Sequence, residues 1–216
     1  MLNSPHRHDP GTAPMSLPAA PAQAPNPLRR QLLSLLLWVA VALLLRTWVI
    51  EPRWIPSGSM LPTLQLQDRI LVEKLRPRLG AALPVDTIVV FRPPDALLEA
   101  GYDPGAALIK RVVAEAGDQV EVKDGHLWRN GQPIEERWLE APMAYRFPPL
   151  TVPEGQLMVL GDNRNASLDS HLWGPLPRER VIGTAVLRYW PPERIGPIRF
   201  AFPGQRPGTL EGGEKG

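Results

Sequence analysis

The chain has 216 residues, with 24 Lys and Arg against 22 Asp and Glu and a net charge of +2 at neutral pH. That leaves room for one domain and a tail, and no charge surplus that points to a nucleic-acid partner. There is no cysteine, which excludes disulfides, thiolate catalysis and cysteine-based metal sites, and the 27 prolines favour turns over long helices.

Residues 1–27 are rich in Pro, Ala and small polar residues and lack apolar periodicity, the composition of a disordered tail. Arg29 and Arg30 then precede an apolar run from Leu32 to Leu45, interrupted only by Ser34. As a helix, the run with its flanks covers about 30 Å, the thickness of a bilayer core. A cleaved secretory signal lacks its small-x-small site, because Arg46-Thr47-Trp48-Val49 follows the run. A buried core helix that is apolar all round is unusual in so small a domain. A transmembrane anchor over 28–50 fits best, with Arg46 snorkelling towards the interface beside Trp48. Arg7, Arg29 and Arg30 stand against Asp9 alone before this span, while the charges after it balance. The positive-inside rule therefore places the N-terminus in the cytoplasm and residues 51–203 across the membrane.

Only Glu51 to Ile55 separates the anchor from the first unusual stretch, Pro56-Ser57-Gly58-Ser59-Met60-Leu61-Pro62-Thr63-Leu64. Five extended residues reach at most about 18 Å, so this stretch is expected near the membrane surface, with Trp54 at the interface. Two prolines flank a Ser-Gly-Ser turn, which can hold one hydroxyl at a fixed angle or simply connect two elements. Short strands are then expected at 69–74, 86–91 and 107–114. A hairpin at 120–129 turns on Asp124-Gly125, and further strands fall at 156–160 and 181–189. The segment 119–157 has room for one hairpin and a loop, a small cap. The Gly-rich stretch 204–216 reads as a loose tail. The fold class is mainly β, an antiparallel domain with one N-terminal transmembrane helix.

A serine hydroxyl needs a base to become a nucleophile. His6 and His8 lie in the tail, and His126 follows a hairpin turn as a solvent-facing residue would. His171 stands in a denser stretch, Gly161 to His171, so a Ser59, Asp169 and His171 triad can be written. Lys110 is the sharper candidate. It sits in an apolar strand, where alternation places it with Leu108 and Val112, and Arg111 with Ile109 and Val113. Lost hydration lowers a lysine's pKa and lets the neutral amine accept a proton. An edge-strand or snorkelling lysine is the plainer alternative.

The motifs at 56–64, 67–74, 108–118 and 161–174, following an apolar anchor, resemble bacterial type I signal peptidases, and in detail the cyanobacterial and plastid members. The resemblance runs from the anchor to about Val186. It implies a Ser-Lys dyad of Ser59 as nucleophile and Lys110 as general base, with no metal or cofactor. Ser57 and the Ser59 backbone N–H would form the oxyanion hole. Ser167 would orient the Lys110 amine, and Asp162, Asn163, Arg164, Asp169 and Arg111 would support the site. Ile55, Met60, Ile70 and Ile109 would line pockets for small substrate side chains at −1 and −3. The implied partners are secretory precursor proteins, membrane lipid and the protein-export translocon, at the plasma (inner) membrane. His171 stands where many relatives carry the arginine that pairs with Asp169, so that pair is either pH-dependent or replaced by one from Arg164. A self-cleaving Ser-Lys repressor would need a DNA-binding domain, which the sequence lacks. A membrane-tethered binding module and a Ser-His protease using His171 are the remaining alternatives.

Overall fold

The computed structural model describes residues 27–198. The tails expected at 1–27 and 204–216 therefore lie outside the described residues, save Pro27. The chain divides into two units between Ala40 and Val41. Helix α1 (Pro27–Leu44) runs into a wider π-type turn, Leu45–Val49, and then without a break into strand β1 (Ile50–Trp54). The helix and turn together span 23 residues with no buried residue, and an 18-residue window within them has a mean hydropathy of 2.2. That is about 35 Å of helix, and among the described residues it is the one helix long and apolar enough to cross a membrane.

Strand β2 (Arg69–Glu73) follows, then a one-turn helix α2 (Leu75–Arg78), β3 (Ile88–Phe91), α3 (Asp95–Glu99) and β4 (Leu108–Ala114). The middle of the chain supplies β5 (Gln119–Lys123), β6 (His126–Arg129), β7 (Gln132–Pro133) and β8 (Phe147–Thr151). The last part supplies β9 (Gln156–Leu160), α4 (Ser170–Trp173), β10 (Leu176–Pro177), β11 (Val181–Trp190) and β12 (Gly196–Pro197). All pairings are antiparallel. One sheet has the order β1-β2-β11-β3-β4-β9-β10, with β12 against β11, and the other has the order β7-β6-β5-β8.

The larger sheet is buried on both faces at its centre, which is why β3 reads as an unbroken apolar run. Ile88 and Val90 join Ile55, Met60, Ile70 and Ile109 in one cluster. Val89 and Phe91 join Val112, Val159 and Leu176 in another. A third cluster, including Val113, Val120, Val122, Leu127 and Leu160, ties the smaller sheet to β4 and β9. Each fully buried side chain of this kind contributes about 1.5–3 kcal/mol. Gly183 lets β11 close on β2, since a Cβ there would lie 2.3 Å from the Glu73 carbonyl oxygen.

Two expectations change. The segment read as a linker is strand β1, whose Ile50 to Trp54 pair with Glu73 to Arg69 of β2. Pro52 hid the strand, and β1 tolerates it because it is an edge. The segment read as one hairpin and a loop is a four-stranded sheet. Its extra edge, β8, carries Pro148 and Pro149 and so gave no strand pattern.

Candidate active site

Ser59 stands in a single 3₁₀ turn, Gly58–Met60. Met60 is wholly buried in the cluster of Ile55, Leu64 and Ile70, so the residue after Ser59 nails the turn to the core. The Leu64 N–H donates to the Met60 carbonyl at 2.9 Å, closing the turn behind it. From the far end of the chain, the Asn163 N–H donates to the Ser59 carbonyl at 3.0 Å. Its side-chain amide donates to the Gly58 carbonyl at 3.2 Å. The neighbouring Gly161 is required by close approach. A Cβ there would lie 2.5 Å from the Ser59 carbonyl oxygen and 2.2 Å from Ser167 Oγ.

Lys110 enters from β4, opposite Val89 of β3. Its Nζ lies 2.8 Å from Ser59 Oγ and donates to the Ile109 carbonyl at 3.0 Å. The residue is 4 % exposed. Burial lowers the amine's pKa to about 8, against the opposing pull of the Asp169 and Asp162 carboxylates. A half-buried hydroxyl beside an amine that sheds its proton near pH 8 can form an alkoxide-like nucleophile at modest pH.

Buried ion pairs surround this pair. Arg111, next to Lys110 but directed elsewhere, clasps Asp162 through Nε–Oδ1 at 2.8 Å and Nη2–Oδ2 at 2.6 Å. Thr63 Oγ1 donates to the same carboxylate at 2.5 Å, linking the serine turn to it. Asp169 is wholly buried, accepts the Gly161 N–H at 2.9 Å and meets His171 Nδ1 at 2.6 Å. Tyr145 stacks on His171 with ring centroids 4.1 Å apart.

The sequence-predicted residues divide as follows. Ser59 and Lys110 meet, and Asp162, Asn163, Asp169 and Arg111 hold their surroundings. Arg164 does not take over the pairing with Asp169. It forms a two-toothed, buried pair with Glu136, Nη2–Oε1 being 2.5 Å, and His171 has the Asp169 partnership. Burial works against the Arg164 charge, and Glu136 outweighs it. Ser167 Oγ is buried and has no hydrogen-bond partner, so it is near the site without engaging the amine. Ser57 is exposed, with its Oγ 3.4 Å from Ser59 Oγ, a loose contact. Ile55, Met60, Ile70 and Ile109 share one cluster, but Met60 and Ile70 are 0 % exposed and Ile109 keeps 8 %. His126 is exposed, as expected.

Sequence reasoning missed a strap from the smaller sheet. Between β7 and β8, Glu136 pairs with Arg164, Trp138 lies 4.4 Å from the Arg111 guanidinium, and Tyr145 covers His171. Asn165 completes it by accepting the Ala144 N–H at 2.7 Å and donating to the Pro142 carbonyl at 2.9 Å. The only sequence signal was composition, an acid and aromatics in a stretch without periodicity.

A serine hydroxyl against an amine of lowered pKa, in a mainly antiparallel β fold, has the ingredients of acyl-transfer hydrolysis. The family described as "Signal peptidase, peptidase S26" matches residues 28–190, and the chain belongs to it. A relative named "Probable signal peptidase I-1" in Synechocystis is 47% identical over 174 residues, 78% of this chain and 86% of its own length. One named "Signal peptidase I" in Leptolyngbya laminosa is 43% identical over 194 residues, 88% of this chain and 93% of its own. A third, named "Probable thylakoidal processing peptidase 2, chloroplastic" in Arabidopsis thaliana, is 47% identical over 165 residues, 74% of this chain and 43% of its own. The protein is thus a hydrolase that cleaves signal peptides from precursor proteins, with an apolar N-terminal helix that fits a membrane-anchored enzyme.

Proposed function

We propose that Ser59 and Lys110 are the catalytic dyad of this peptidase. The observation that carries the reading is the 2.8 Å contact between Lys110 Nζ and Ser59 Oγ. The neutral amine takes the Ser59 proton as Oγ bonds to the scissile carbonyl carbon. The developing oxyanion is met by the Ser59 backbone N–H and, after a small rotation, by the Ser57 hydroxyl. Lys110 then gives the proton to the leaving amine as the C–N bond breaks. Water, deprotonated by the same amine, hydrolyses the ester and frees the serine. The Ile109 carbonyl, which accepts from Nζ, and the ion pairs behind the dyad keep the amine in place. Ile55 and Ile109, backed by Met60 and Ile70, border shallow pockets suited to small residues at −1 and −3.

The favoured setting is the plasma membrane, with the N-terminus cytoplasmic and the catalytic domain beyond it. Lipid and the export translocon are its partners there. The test is cleavage of a small-x-small precursor by the full chain in detergent. Ser59→Ala and Lys110→Ala are expected to lower kcat by at least about 10³-fold each with folding intact, as loss of nucleophile or base does. Retained activity in Lys110→Ala, lost instead in His171→Ala, would replace the dyad with a Ser-His mechanism.

A further inference from the structure

A surface suited to anions lies where the ends of β1, β2 and β11 meet. Cross-strand register aligns Trp54 with Arg69, and Arg69 with Trp190. These three and Arg53, Gln67 and Tyr189 line a cavity of about 470 Å³. Its lining contains two guanidiniums and no carboxylate. Arg69 stands 5.6 Å from the Trp190 ring, and among the described residues it has no acidic partner. Arg53 pairs with Glu51, yet its Nε is buried without a partner. A second cavity of about 430 Å³ shares Arg53 and Trp54 and extends to Arg46, Thr47 and Glu51. Arg46 and Thr47 belong to the final turn of the apolar helical span.

We propose that these joined cavities bind the phosphate headgroup of an anionic phospholipid, an inference that rests on the membrane-anchored reading of the apolar helix. A phosphodiester matches guanidinium forks, which donate in pairs to its oxygens. Trp54 and Trp190, 64% and 47% exposed, suit the glycerol and carbonyl level of a bilayer. Covalent continuity decides for lipid over a soluble anion, because the second cavity includes the last turn of the apolar span. Glu51 at its wall disfavours a doubly charged free phosphate more than a singly charged diester.

The test uses full-length Ser59→Ala protein in detergent, so that lipid retention is read independently of proteolysis. Retention of phosphatidylglycerol and of phosphatidylcholine with matched chains is compared by native mass spectrometry. The expected result is a preference for phosphatidylglycerol that falls about fivefold per guanidinium removed in Arg53→Gln/Arg69→Gln. It should recover in part in Arg53→Lys/Arg69→Lys, which restore the charge but not the paired donors, and resist millimolar inorganic phosphate. Equal retention of both lipids, loss in both double variants or in neither, or displacement by inorganic phosphate would each overturn the proposal. Carbonate extraction of membranes separates the two readings. A chain that stays integrated but shows no lipid preference loses only the headgroup site, whereas a chain that washes off loses the anchor as well.

Discussion

Lys110 sits between opposing influences. Burial favours its neutral amine, while Asp169 and Asp162 favour the charged form, and the balance falls at about 8. Since the base must be neutral, kcat/KM is expected to rise about tenfold per pH unit below that value and level off above it. A profile flat from pH 6 to 9 would remove Lys110 from the proton transfer. Stability follows the same sign. The folded pKa lies below the usual 10.5, so the unfolded chain binds more protons between the two values. The cost of the buried charge is full below about 8 and disappears as pH rises through 10.5. Lys110→Met should therefore raise Tm at pH 6, with the gain shrinking towards pH 10. Gly161 has a steric rather than an ionic constraint. A Cβ at 2.2 Å from Ser167 Oγ must push that serine and the Ser59 carbonyl apart. Gly161→Ala is expected to cost about 1–3 kcal/mol in urea unfolding and to lower kcat more than it raises KM.

Among the elements, the strap between β7 and β8 serves the site without belonging to the larger sheet. Its Glu136 and the Arg164 it grips are 4 % and 1 % exposed in their side chains. Glu136→Leu leaves a guanidinium buried and unpaired, which costs about 3–5 kcal/mol. Adding Arg164→Met should recover much of that stability in urea melts, while kcat stays reduced if the strap positions the dyad. Full recovery of kcat would make the pair purely structural. The strap was illegible in the sequence because its residues act on partners far along the chain and follow no strand or helix period. The strands β3, β4, β9 and β11 were legible as apolar runs, and their buried centres explain why. β1 and β8 were not, because proline at a sheet edge erases the pattern without preventing the pairing. Ser59, Lys110 and Asp162 stood out through their motifs, whereas the Arg164 partner needed the fold.

For the whole molecule, the absence of cysteine offers a clean test of topology. Ser4→Cys in the N-terminal tail and Glu154→Cys at the exposed β8–β9 turn would each introduce a single thiol. A membrane-impermeant maleimide added to intact cells whose outer layers have been removed should label Cys at 154 and leave Cys at 4 unlabelled. The reverse pattern would invert the orientation. The serine turn also has a consequence in time. Asn163 locks Gly58 across 105 positions of chain, and Lys110 and Gly161 enter between and beside them. Synthesis from the N-terminus presents the apolar helix and the serine long before the residues that fix that serine. A half-made chain therefore holds the proposed nucleophile without the proposed base and without the clamp. On the proposed dyad, activity waits until the C-terminal half of the chain has folded onto Gly58 and Ser59.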